Sequence, residues 1–213
     1  MTPAIRVQII EDLPIVRQAV ERVLEAHPDI TVCGSTDNGR DGIASVVRNQ
    51  PDVVLLDLHL SDMPGLVALE RLRNSASHPR VLVYSAAPRT AHALAALQAG
   101  ACGYISKRCD ARDLTNAIVT VHAGGSIVDP SLAAAVLTNR AGGASNEPGD
   151  TVLSASETQV LRLLSDGATD RDIAASTYVS VRTVQNQLAR LRRRTGTARR
   201  ADLTRWALEN DWL

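Results

Sequence analysis

Five short apolar runs recur through the first half of the chain: Arg6–Ile10, Thr31–Gly34, Val53–Leu56, Val81–Tyr84 and Gly103–Ile105. They are rich in Val and Ile and mostly lack polar alternation, the pattern of strands buried on both faces. Between them lie amphipathic stretches at helical period: Ile15–Ala26, Gly39–Asn49, Gly65–Asn74, Thr90–Ala99 and Ala111–His122. Strands and helices in strict alternation predict an α/β fold, a doubly wound five-stranded parallel sheet. Such sheets bind ligands in the crevice outside the carboxyl ends of their strands. Polar residues at those ends therefore carry the most information.

The pattern changes after residue 123. Pro130–Thr138 reads as a short helix with Pro in its first turn. Gly142–Asp150 is small, polar and Pro/Gly-containing, as flexible linkers are. Beyond it everything is helical. Ser154 and Glu157 have capping-box spacing ahead of Val160, Leu161 and Leu164, and Gly167 stops that helix. Thr169–Asp172 starts a second, short helix. Ser180 caps a third, Val181–Arg194, which ends at Gly196, and a fourth runs from Arg200 to Asn210. The expected domains are 1–123, a linker with a short helix over 124–150, and a small all-α unit over 151–213.

Composition refines this picture. With no Phe, the core must be aliphatic. No apolar run reaches the length of a membrane span, and acidic residues come too early for a signal peptide. Cys33, Cys102 and Cys109 are odd in number without CxxC spacing, which suits a reduced cytoplasm better than disulfides or zinc. Net charge is zero, yet residues 1–150 hold 13 basic and 16 acidic side chains, while 151–213 hold 10 and 7. A slightly acidic front and a basic tail suggest modules with different partners.

Three carboxylates fall at strand ends: Glu11 and Asp12 after the first strand, Asp57 after the third. A parallel sheet brings these ends to one edge, where like charges repel unless a cation neutralises them. Oxygen-only ligands suit a hard ion such as Mg²⁺. Ser85 ends the fourth strand, and Lys107 follows the fifth. Lys107 is the only lysine of the chain, as expected where a compact ammonium must reach a phosphoryl oxygen. Read singly, strand-end acids cap helices and one Lys survives by chance. Together they describe phosphoryl transfer, with Asp57 as nucleophile forming an acyl phosphate. No general base is placed for rapid turnover, which suits a switch.

In the order and spacing of Glu11, Asp12, Asp57, Ser85 and Lys107, residues 1 to about 123 resemble the flavodoxin-like receiver domain of two-component systems. The resemblance implies that Tyr104 is the switch residue turning inward with Ser85, and that the His59 carbonyl completes the Mg²⁺ ligands with Asp12 and Asp57. It places His59 and Ala87 beside the phosphoryl group, where they tune its lifetime. One departure stands out: the usual loop proline four residues after the acceptor is Ser61 here, and Pro comes at Pro64. A changed loop path is expected.

In the third tail helix Val184, Leu188 and Leu191 must face a core. The opposite side then shows Arg182, Gln185, Asn186, Ala189, Arg190 and Arg193, with no acid on the helix. Asn and Gln can read adenine edges in the major groove, while Arg contacts phosphate or guanine. The short helix and tight turn before it complete a helix-turn-helix. An Arg-rich face can also be merely solvated. Residues Leu153 to about Leu208 resemble the LuxR-type DNA-binding domain, through Glu157, Val160, Leu161, Gly167, Ile173, Ala174, Thr183, Val184, Leu188 and Gly196. Where that family has Lys and His after Thr-Val, this chain has Gln185 and Gln187, which removes a DNA-facing charge.

Both halves together resemble the NarL/FixJ-type response regulators. That implies a cytoplasmic regulator binding double-stranded promoter DNA, phosphorylated by a sensor histidine kinase. It also implies a homodimer when active, with the fourth tail helix at the contact. Two other classes are weaker. An Asp-nucleophile phosphatase needs a second Asp where His59 stands, so no enzyme is expected. An orphan regulator, its receiver serving as a ligand or protein-interaction module, is opposed by the intact acidic set.

Overall fold

The computed structural model describes residues 3–86, 89–130, 132–133 and 151–213. The chain divides into two compact units, Met1–Gly143 and Ala144–Leu213.

In the first unit a parallel sheet is built from β1 (Ile5–Ile10), β2 (Ile30–Thr36), β3 (Val53–Leu56), β4 (Arg80–Ser85), β5 (Gly103–Ser106) and β6 (Ile127–Val128). Their order is β2-β1-β3-β4-β5-β6. The helices are α1 (Pro14–Glu25), α2 (Gly39–Asn49), α3 (Gly65–Arg73), α4 (Thr90–Gln98) and α5 (Ala111–His122). The central strand β3 is buried throughout, and Val7, Ile9, Val53, Leu55 and Leu82 join Leu24, Ile118 and Val121 in an aliphatic core. Of the polar residues on the strands, Gln8 is buried by pairing: its amide oxygen accepts from the Ser45 hydroxyl at 2.8 Å and its nitrogen donates to the Ile9 carbonyl. A buried amide without those partners would be costly.

Five strands were expected, and the described residues form six. The sixth, β6, is two residues long and pairs in parallel with β5. Two residues are too few to display a period, so the run could not be separated from the connecting segment. The sheet consequently extends past residue 123. Of the expected helix over Pro130–Thr138, residues 131 and 134–138 lie outside the described residues, as does the linker Gly142–Asp150.

The second unit holds α6 (Ala155–Ser165), α7 (Asp170–Thr177), α8 (Val181–Thr195) and α9 (Arg200–Glu209). Ser154 with Glu157 and Thr169 with Asp172 form reciprocal capping boxes, and Ser180 accepts from the Thr183 amide. Each satisfies donors that a helix start leaves open. Gly196 ends α8 in a left-handed conformation (φ 69°), which glycine adopts without strain. Val160, Leu161, Leu164, Ile173, Val184, Leu188, Leu191, Leu203 and Trp212 close the small core.

Candidate functional site

The chain leaves β1 toward β2 on one side and reaches β3 on the other. The reversal of strand order therefore opens a crevice at the adjacent ends of β1 and β3. Glu11 and Asp12 follow β1, Asp57 follows β3, and Lys107 follows β5. Glu11 and Asp57 are buried, at 2% and 3% exposure. The Lys107 ammonium donates to Glu11 Oε1 at 2.8 Å and to Asp57 Oδ2 at 2.9 Å. It also lies 2.6 Å from Glu11 Oε2, a contact of charges rather than a directed hydrogen bond. Its nitrogen sits 5.9 Å from the centre of the Tyr84 ring.

One ammonium faces three carboxylates whose oxygens lie within 4.8 Å of one another. Burial, and then the charge of Asp57, raise the pKa of both Glu11 and Asp12. Asp57 Oδ1 is buried and accepts no hydrogen bond, with His59 Nδ1 at 4.0 Å. An all-oxygen cluster with excess negative charge and an unpartnered carboxylate oxygen fits a hard divalent cation.

The loop after Asp57 ends at Pro64, which immediately precedes α3. Residues His59 and Pro64 form an isolated antiparallel bridge, and Gly65 N donates to the Leu58 carbonyl at 2.8 Å. Asp62 accepts from the amides of Gly39 and Arg40, fastening the loop to the start of α2. A Cβ on Gly65 would lie 2.4 Å from Leu58 Cα and 2.5 Å from the Asp57 carbonyl oxygen. Gly65→Ala must therefore push α3 off the strand end that presents Asp57. It is expected to cost about 1–3 kcal/mol, as overpacking does, read as a lowered urea midpoint.

Ser85 and Tyr104 are both fully buried, and a hydrogen bond links their side chains. Burial raises the Tyr104 hydroxyl to about 12, which keeps it neutral. Ala87 lies outside the described residues.

On α8 the residues Arg182, Thr183, Gln185, Asn186, Arg190 and Arg193 are exposed, and Ala189 is half-buried. Arg190 differs from the expectation of an unengaged cation: its guanidinium donates to Glu157 at 3.0 Å. Arg194 reaches the same oxygen at 2.7 Å and also bonds the Val152 carbonyl. Burial pushes the Glu157 pKa up, but bonds from Ser154 and the charge of Arg194 outweigh it and leave the pKa lowered.

Residues 7–119 match the response regulator receiver domain family, and residues 151–207 match the family of bacterial regulatory proteins of the luxR type. The chain belongs to the response regulators.

Among its relatives is the nitrate/nitrite response regulator protein NarL of Escherichia coli K12, 30% identical over 93% of this chain and 92% of that protein. BvgA of Bordetella pertussis, a virulence-factor transcription regulator, is 32% identical over 97% and 98%. The solved structure of ChrA, a response regulator of a heme-sensing two-component system, is 28% identical, covers 99% of both chains and has a TM-score of 0.54. RcsB of Salmonella enterica serovar Typhimurium, bound to promoter rprA with phosphomimetic BeF3-, covers 95% of this chain and 98% of that one. Its TM-score is 0.73, and at 22% identity the likeness is one of fold.

The His59 imidazole stands beside Asp57, where the receiver resemblance puts it. Sequence reasoning on this response regulator missed the tertiary role of one side chain. Glu157 was read as a helix cap, but it also anchors two arginines of α8. The capping spacing and a nearby Arg-rich helix were the available signals. Nothing in the sequence placed the two elements together.

Proposed function

We propose that this protein is a transcriptional regulator switched by Mg²⁺-dependent phosphorylation of Asp57, with a sensor histidine kinase as donor and promoter DNA as target. The observation that carries the reading is Lys107 bridging Glu11 and Asp57 while the other Asp57 oxygen accepts no hydrogen bond. An oxygen of Asp57 attacks the donor phosphorus, the donor P–N bond breaks, and an acyl phosphate forms. The Lys107 ammonium and the Ser85 hydroxyl contact the incoming phosphoryl oxygens. Asp12, Asp57 and the His59 carbonyl would hold Mg²⁺, with Glu11 in support. When bound, the cation neutralises charge on the transferring group. Ser85 passes the change to Tyr104, to which it is already bonded. α8 enters the major groove, with Arg182, Thr183, Gln185, Asn186, Ala189 and Arg193 on the DNA side and Arg190 held at the flank by Glu157. The active form is a homodimer.

A cytoplasmic location belongs to the same reading. Among the described residues no helix is long and apolar enough to cross a membrane, and Cys33, Cys102 and Cys109 are free thiols.

Intact mass after incubation with acetyl phosphate and Mg²⁺ tests the switch. Wild type should gain one phosphoryl group and Asp57→Ala none. No gain in either, with DNA binding retained, would replace this reading by the phosphorylation-independent regulator.

Asp12→Asn tests the cation. The charge of Asp12 opposes folding, because burial and Asp57 raise its pKa. The variant should melt about 3 °C above wild type without divalent ions. Millimolar Mg²⁺ should then stabilise wild type far more than the variant. Equal stabilisation of both would remove Asp12 from the ligand set.

A further inference from the structure

Opposite the buried line Val184, Leu188 and Leu191, the outward line of α8 is Arg182, Asn186, Ala189 and Arg193. These four positions recur at i, i+4, i+7 and i+11, so they form one stripe along the helix. Cations stand at its two ends, and its middle is uncharged. The other arginines of the helix point elsewhere: Arg190 and Arg194 bond Glu157, and Arg192 Nε donates to the Leu188 carbonyl. Gln185, also exposed, flanks Asn186.

From this arrangement we infer that α8 reads a half-site centred on A·T pairs. Asn186 would contact an adenine and Ala189 the methyl of a neighbouring thymine. The inference rests on the DNA-binding reading above and names its target chemistry.

The major-groove edge of adenine offers a donor at N6 beside an acceptor at N7, the mirror of a carboxamide. Guanine offers two acceptors, one of which would face the Asn186 oxygen unpaired. Cytosine offers only a donor and is read best by a carboxylate, which α8 lacks. An alanine methyl at the next turn complements the thymine C5-methyl and has no polar group to meet a G·C pair. Gln185 carries the same carboxamide chemistry to the adjoining base. Arg182 and Arg193, one at each end, are placed for phosphates or outer guanines.

The experiment is selection of bound duplexes from a randomised pool by the full chain, untreated and after acetyl phosphate with Mg²⁺. The expected motif has adenine and thymine at its half-site centre. Replacing that adenine by 7-deaza-adenine should weaken binding about tenfold, and thymine by uracil about threefold. In Asn186→Ala the deaza substitution should have no further effect, and in Ala189→Gly the uracil substitution should have none. Asn186→Asp should shift selection toward cytosine. Asn186 is on the surface, so its two variants should melt close to wild type, whereas Ala189→Gly, inside the helix and half-buried, should melt about 5 °C lower without losing the fold.

A G·C centre, or an adenine preference that survives in Asn186→Ala, would overturn the assignment and leave DNA binding standing. Binding with no sequence enrichment would do the same. Failure to retain any duplex in either state would overturn the DNA-binding reading, and this inference with it.

Discussion

Lys107→Ala is expected to take up phosphoryl groups from acetyl phosphate at least about a hundredfold more slowly than wild type. It should also lose about 2–4 kcal/mol of receiver stability. Among the described residues the ammonium is the one cation bonded to both Glu11 and Asp57, and its side chain is 10% exposed. Its removal leaves two buried carboxylates facing each other, with Asp12 adding a third charge. Breaking a buried pair costs more than the pair contributes, because the remaining charge is stranded. The rate falls for a separate reason: charge building on the transferring oxygens loses the one lysine ammonium that the described residues fix at the site. Adding Asp12→Asn should return much of the stability and little of the rate, which separates the two effects. Lys107→Arg should restore part of the stability only, since a planar guanidinium does not fit where oxygens lie 2.6 to 2.9 Å from a point charge. Time courses of intact mass and urea unfolding measure both quantities. Uptake by Lys107→Ala at the wild-type rate would remove Lys107 from the chemistry.

The acidic cluster was legible because topology does most of its positioning. Once strands are parallel, everything following them collects at one edge, so Glu11, Asp12 and Asp57 had to meet. Lys107 was legible by rarity, in a chain whose other basic residues are arginines apart from five histidines. Tyr104 shows where such reasoning stops. Without the receiver resemblance, it reads as a half-buried strand aromatic. In the structure β6 pairs beyond it, with Tyr104 in register with Val128, and the side chain is wholly buried. A two-residue strand thus changes the environment of a site residue, and no periodicity can reveal two residues.

The arginines of α8 fail for a different reason. A helical wheel shows which side chains share a face, but not what another helix brings to that face. Arg190 has the sequence signature of a solvated cation, and its partner Glu157 is 33 residues away. Both residues were noticed. What could not be read was the packing of α6 against α8, which is a tertiary fact.

That packing makes Glu157 the second test. Glu157→Gln should lower the stability of the second domain by about 1–2 kcal/mol at neutral pH, and Glu157→Ala by about 2–3 kcal/mol. Gln can still accept from the Ser154 amide in a capping box, so the step from Gln to Ala isolates the cap. The step from Glu to Gln isolates the charge that holds Arg190 and Arg194. The sign of the pH effect follows from the lowered pKa of Glu157. A carboxyl that ionises more readily in the native state stabilises it above the unfolded value of 4.5, and that contribution fades as pH falls through the folded value. The Glu-to-Gln difference should therefore be full at pH 7 and shrink in acid. Trp206 and Trp212 are the only tryptophans of the chain, so their fluorescence follows this domain alone during urea unfolding. A Glu-to-Gln difference that stayed constant down to pH 3 would mean that shape at residue 157, rather than charge, holds α8 against α6. The arginines would then be bystanders available to DNA, and the neutral centre of the α8 stripe would lose its claim to be the reading surface.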